Sequence, residues 1–284
     1  MRLTPVVFTL AAAVSLAACS ADPSGSPVTH PPPPLAYVRY YNAVGDTLPL
    51  DFRPIDEVEF SWPFLATPFR AQGLGGYQGY GIGARHIRVF PNSTDLATTT
   101  SVLADTTVTL TAGIYYTFMH VGYARNGAAP KQKLWVVTDT FPTVPTGSVS
   151  FRVVNVGPDL GAVDVYVTTS ATDALPATPT FANVAFQTRS PYAQRPTGAF
   201  VMRVYAAGDR TTALIAATTM AAGAPGDAFA NPIGGSGQSG TVATAMLYSK
   251  ATAGSTAAIT SGTNANTTPK IYYWIDKQPP ATAP

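Results

Sequence analysis

Ser148-Val-Ser-Phe-Arg-Val-Val-Asn-Val-Gly-Pro-Asp-Leu-Gly-Ala-Val-Asp-Val-Tyr-Val167 reads as a strand, a tight corner and a second strand. Val149, Phe151 and Val153 alternate with Ser150 and Arg152, the period-two pattern of a half-buried strand. Asn155, Gly157, Pro158 and Asp159 supply turn chemistry. Val163, Val165 and Val167 then alternate with Asp164 and Tyr166. The stretch decides the fold because it occurs twice.

Ala36 through Phe52 lies over Val149 through Val165 without a gap. Arg39 matches Arg152, Asn42 matches Asn155, Asp46 matches Asp159 and Asp51 matches Asp164, all at one separation. Further on, Arg88 answers Arg203, Gly113 to Met119 answers Gly240 to Met246, and Lys133 to Asp139 answers Lys270 to Asp276. The separation grows because the second copy carries insertions in Ala222–Gly240 and Ala251–Pro269, both rich in Gly, Ala, Ser and Thr as surface loops are. The sequence therefore predicts two copies of one all-β domain, at 35–139 and 148–276, joined by a Pro/Thr linker at 140–147 and followed by a Pro-rich tail at 277–284. Thr211–Ala222, an alanine-rich run, reads as strand plus loop.

The Arg-x-x-Asn-x-x-x-Asp corner, followed by Val-Asp-Val-Tyr-Val, resembles the opening of the bacterial domain-of-unknown-function family 4397. The second copy is close to that pattern; the first replaces the valine-rich strand with Pro49-Leu50-Asp51-Phe52. The resemblance implies immunoglobulin-like antiparallel β-sandwiches, often in tandem on exported bacterial chains. It brings no established activity, cofactor or catalytic residue.

The N-terminus reads as a targeting segment over residues 1–18. Arg2 is its positive flank, and Val6–Ala18 is an apolar run too short to span a bilayer. It ends in Leu16-Ala17-Ala18-Cys19, which looks like a lipoprotein lipobox with Cys19 as the acylated residue. Cys19 is the only cysteine of the chain, so no disulfide explains it. The expected address is the bacterial cell envelope, and Ser20 favours the outer membrane by resemblance to enterobacterial sorting. Residues 19–34, ending in Pro31–Pro34, read as a semi-rigid polyproline tether.

Charged residues make up only 11% of the chain, and the formal charge of +2 falls to +1 once Arg2 is removed. That argues against nucleic acid, whose phosphates call for a basic face. His30 lies in the tether, while His86 and His120 fall on strands where the second copy has Val201 and Leu247. Aliphatic counterparts mark these histidines as packing or surface groups, and Ser-His-Asp, Cys-His and zinc schemes lack material. Gly79–Ala84 matches a dinucleotide glycine pattern in letters but lacks the strand-turn-helix setting that gives it meaning. Asp46, Asp51, Asp56, Glu57 and Glu59 form an acidic cluster with oxygens of the kind calcium takes. Against calcium, Asp46 and Asp159 read as corner caps, and Asp51 and Asp164 as outward strand residues pairing with Arg39 and Arg152.

The leading functional expectation is a non-enzymatic, lipid-anchored protein serving adhesion, ligand capture or envelope structure, without cofactor or metal. The competing one is a glycan- or protein-binding module resting on Tyr77, Tyr80 and Trp62, aromatic residues beside glycines; against it, the Tyr77 and Tyr80 rings read equally as packing over the open end of their own sandwich. A hydrolase would need paired carboxylates across a cleft, and no pair stands out.

Overall fold

A computed structural model describes residues 33–56, 64–73, 75–252 and 266–281. In chain order the first half forms β1 (Leu35–Asn42), β2 (Leu50–Pro54), β3 (Ala71–Gln72), β4 (Gln78–Gly81), β5 (Gly83–Pro91), helix α1 (Leu96–Thr99), β6 (Ala104–Leu110), β7 (Tyr115–Val121) and β8 (Lys133–Asp139). The second half forms β9 (Ser148–Asn155), β10 (Val163–Thr168), β11 (Phe181–Val184), β12 (Thr188–Arg189), β13 (Ala193–Pro196), β14 (Val201–Ala206), β15 (Ala213–Thr219), β16 (Val242–Tyr248) and β17 (Lys270–Lys277).

These strands build an all-β structure of two sandwiches. In the first, a sheet ordered β3-β1-β7-β8, with β4 also on β1, faces a sheet ordered β2-β5-β6. In the second, β12-β9-β16-β17, with β13 also on β9, faces β11-β10-β14-β15. Ala36, Val38, Tyr40 and Phe118 meet Leu50, Phe52, Ile87 and Val89 in the first core. Val149, Phe151, Val153 and Leu247 meet Val163, Val165, Met202 and Val204 in the second. Burial of this apolar surface is the main favourable term holding each pair of sheets together. The alanine-rich run forms β15, as its sequence predicts; α1, capped by the Asp95 carboxylate accepting from the Thr98 N–H, lacks a helical signal in the sequence.

The sandwiches differ from the antiparallel expectation at one place in each. β1 runs parallel to β7, pairing Val38 with Tyr116 and Asn42 with His120. β9 runs parallel to β16 in the same way, pairing Ser150 with Val242 and Asn155 with Leu247. Parallel neighbours need a long crossover, and here the chain makes it by passing through the opposite sheet before returning.

A second difference is burial. The alternation in β1 and β9 reads as half-buried, yet both strands are covered on both faces. Tyr41, Met119 and Val121 of the first sandwich pack against Val154, Met246 and Tyr248 of the second, with Trp135 and Trp274 at the seam. Tyr41 and Trp274 rings lie 5.2 Å apart. The two sheets that carry the parallel pairs are therefore the ones that pack on each other, and Pro34–Pro284 is one compact unit.

Strand direction fixes which ends meet. Past the end of β1, the Gly45 carbonyl accepts from the Thr252 N–H at 3.1 Å. Arg70 donates to the carbonyls of Ser249 and Thr268 from the same guanidinium nitrogen. The described ends of the insertion Ala251–Pro269 are thus tied to the first sandwich rather than free on the surface. At the other end, the Leu35 carbonyl accepts from Gly113 and the Ser148 carbonyl from Gly240. Hence β1 and β9 start at one end of the unit and finish at the other.

Candidate functional site

The polar residues with the most chemistry converge where the two inner sheets meet. Arg39 and Arg152 sit at matched positions of β1 and β9, and each is nearly fully buried. Each donates its Nε to a threonine on the parallel neighbour strand: Arg39 to Thr117 at 2.7 Å, Arg152 to Thr244 at 2.9 Å. Each guanidinium lies over a tyrosine ring of its own sandwich, Arg39 over Tyr77 at 4.4 Å and Arg152 over Tyr192 at 4.7 Å. Those rings cover the guanidinium groups and contribute a cation–π attraction.

The carboxylates come from the opposite sandwich. Arg39 pairs with Asp276 at 2.7 Å, and Arg152 donates to Asp139. The remaining lone pairs are taken locally. Asp139 accepts from Tyr77 at 2.9 Å and from Thr117, while Asp276 accepts from Tyr192 at 2.9 Å and Thr244 at 2.6 Å. Arg189, at the rim, adds a bond to the Thr138 carbonyl at 2.9 Å. Two arginines and two aspartates leave the cluster formally neutral. Burial alone would raise the Asp139 carboxyl, but Arg39 and Arg152 overcome it and hold it below the ordinary range. Burial raises the phenols of Tyr77 and Tyr192, so both stay protonated donors. The arrangement orients and clamps: Arg152 and Asp139 are held by hydrogen bonds, while Arg39 and Asp276 meet as an ion pair in which the arginine's terminal nitrogens and the Asp276 Oδ1 make no directed hydrogen bond.

This corrects two readings of the sequence. Arg39 and Arg152 do not pair with Asp51 and Asp164. Asp51 accepts from the Ala66 N–H, Asn92 and Arg53, and Asp164 from the N–H groups of Asn183 and Gly208. These aspartates point along their own sheet to brace neighbouring loops, while the arginines point to the other sandwich. Tyr77 and Tyr80 are not a displayed pair either. Tyr77 covers the Arg39 guanidinium and meets Tyr115 edge-on at 4.9 Å; Tyr80 is buried, stacked at 6.1 Å on Phe64. Tyr192, which completes the second half of the cluster, was not singled out in the sequence. Its signal was present: it stands in the segment matching the loop that carries Tyr77. Trp62 lies outside the described residues, as do Leu16, Ala17, Ala18, Cys19 and His30.

The corner residues do local work. Asn42 accepts from the Val44 N–H at 3.0 Å and donates to the Thr67 carbonyl at 3.0 Å. Asn155 accepts from the Gly157 N–H at 3.1 Å and donates to the carbonyls of Gly161 and Val184 at 2.9 and 3.0 Å. Both fold the corner with an Asx turn and then tie it to the opposite sheet. Asn155→Ala is expected to cost about 1–3 kcal/mol, since it leaves buried backbone groups without partners; chemical denaturation of the full chain would measure it. Asp46 caps across the sandwich, accepting from the N–H groups of Ala124 and Arg125 at 2.8 and 3.0 Å. Asp159 engages Ser249 through its backbone, its N–H donating to the hydroxyl at 3.5 Å, rather than through a side-chain cap.

The acidic cluster does not converge among the described residues. Asp46 and Asp51 are committed as above, and Asp56 accepts from the His86 N–H at 3.1 Å. No group of three or more His, Cys, Asp or Glu able to hold a metal occurs among the described residues; Glu57 and Glu59 lie outside them. His86 sits on β5 and pairs with Asp105 near the surface. His120 sits on β7, fully buried, with neither ring nitrogen in hydrogen-bonding geometry. Burial pushes its pKa down to about 4, and the Gln132 side chain opposes that only in part. Gly79–Ala84 runs from β4 through a turn into β5, with no helix to receive a phosphate.

A family described as Domain of unknown function (DUF4397) matches residues 36–166. The match covers the first sandwich, the linker and the opening corner of the second, ending in β10. Among curated proteins none matches the chain.

Proposed function

We propose that the chain is a lipid-anchored bacterial envelope protein whose folded part is a tandem pair of domains of this family, acting as a rigid, non-enzymatic module for adhesion or envelope structure. The observation that carries this reading is the way charged chemistry is spent. Arg39, Arg152, Asp139 and Asp276 neutralise one another in the seam, and Asp46, Asp51 and Asp164 brace loops. A module with its strong groups turned inward presents a stiff scaffold to its surroundings. The tandem assignment rests on the shared corner, on Arg39–Thr117 matching Arg152–Thr244, and on the parallel pair in each sandwich. The anchor rests on Leu16-Ala17-Ala18-Cys19 and the absence of any other cysteine; Ser20 supports the outer membrane as its destination.

The test is acylation. Wild-type chain expressed in a bacterial host should incorporate radiolabelled palmitate and sediment with membranes. Cys19→Ser should lose the label and appear in the soluble fraction. Equal incorporation in the variant, or none in the wild type, would remove the anchor from this reading.

A further inference from the structure

The insertion before β16 carries a feature that the seam does not use. Phe229 is 99% exposed and Ile233 61%, the first being the most exposed large apolar side chain among the described residues. A phenylalanine on a shapeless loop would mean little, but this loop is built. Ala224 and Ile233 exchange both backbone bonds at 3.0 and 2.9 Å. The Asp227 Oδ1 accepts from the N–H groups of Phe229 and Ala230, each at 2.8 Å, and so folds the tip and directs the ring outward. Gly223, at φ +77°, permits the close approach at the base, since a Cβ there would lie 2.3 Å from the Ile233 carbonyl oxygen. The base is then fastened to the sandwich by Gly234 donating to the Gln278 side chain at 2.6 Å.

Position selects the occupant. The loop leads into β16, whose start lies beside the start of β9, the Gly240 N–H bonding the Ser148 carbonyl at 2.9 Å. β1 starts at the same end, so the chain enters the folded unit at Pro34–Leu35 on the side where Phe229 projects. Leu35 and Ile82, 37% and 39% exposed, stand at that end too. Asp227 is the one charged residue between Met220 and Tyr248, and its Oδ1 is turned back into its own turn.

We propose that the Phe229 loop is a second, weak membrane contact, its ring entering the interfacial layer of the bilayer that holds the acylated N-terminus. This inference rests on the lipid-anchor reading. The 15 residues from Ser20 to Pro34 can reach no more than about 50 Å even fully extended, which confines the loop to the neighbourhood of the bilayer. Burying one phenylalanine yields only ~2 kcal/mol, too little to recruit a free protein. With Ile233 buried beside it the contact is worth about 4 kcal/mol, which reaches half-occupancy at the effective concentration of about millimolar that a tether sets.

The full acylated chain would be reconstituted into phosphatidylethanolamine/phosphatidylglycerol vesicles containing a nitroxide-labelled lipid. Acylation blocks Cys19, so Ala228→Cys accepts a single fluorophore beside an intact Phe229, and Asn126→Cys accepts one at the opposite end. Quenching at 228 is expected to exceed that at 126 several-fold, and Phe229→Asp in the Ala228→Cys background should abolish the difference. Acylated, vesicle-bound protein with equal quenching at both positions overturns the membrane contact alone. A wild type that takes up no palmitate overturns the anchor and the contact together. Cross-linking between the 228 positions of two copies, without lipid quenching, identifies a second copy as the occupant and also overturns the proposal.

Discussion

Asp139→Asn is expected to destabilise the folded unit by about 3–5 kcal/mol, the range for removing one partner of a buried ion pair. The side chain is fully buried and receives Arg152, Tyr77 and Thr117, with Arg39 at 3.8 Å and Arg189 at 3.6 Å. An amide of the same shape keeps the packing but leaves the two buried arginines facing one carboxylate. It also turns a donor toward groups that themselves donate. Replacing the pair together, Asp139→Leu with Arg152→Met, removes the uncompensated charge and is expected to cost less than the single change, because desolvation of both ions is recovered. Urea denaturation followed by tryptophan fluorescence suits the measurement, since Trp135 and Trp274 lie in the same seam. A single variant within 1 kcal/mol of wild type, or a double variant worse than the single, would show that the cluster does not hold the sandwiches together.

The second large effect depends on pH and resides in His120. Its folded pKa of about 4 lies below the ordinary value of 6.5, so the unfolded chain binds the proton more readily. The contribution of the neutral, buried ring is complete above pH 6.5 and is lost as pH falls toward 4, by about 3 kcal/mol over that window. Below pH 4 it levels off, and protonation of Asp139, whose folded pKa is depressed, takes over the acid loss. His120→Leu should erase the upper limb and leave the lower one. Leucine is the residue at the matched position of the second sandwich, where Leu247 is part of the core. Melting curves from about pH 2 to about pH 7 would separate the two limbs; a His120→Leu protein with the wild-type slope between pH 6.5 and 4 would overturn the assignment.

What the sequence determined by itself is local and periodic. The alternation of Val149, Phe151 and Val153 specifies a strand, because a period of two puts side chains on one face whatever lies beyond. Asn155 specifies a corner, because an Asx turn closes within two residues. Matching of Arg39 to Arg152 at constant separation identifies positions that take matched places in two sandwiches. Only the tertiary structure decided what covers the outer faces of β1 and β9. Period two separates the faces of a strand but does not say whether water or another sheet lies against each. An arginine alternating with apolar residues therefore reads as an outward, solvated group, when it is in fact clamped under Tyr77 or Tyr192. Nor could spacing along the chain reveal that each arginine takes its carboxylate from the other sandwich. Arg39 and Asp276 are brought to 2.7 Å by the packing of two sheets, a distance with no trace in local pattern. The tyrosines followed the same rule. Tyr77 in a glycine-rich turn has the signature of a displayed ring, and it became a lid because the turn lies over a buried guanidinium that only the fold could place beneath it.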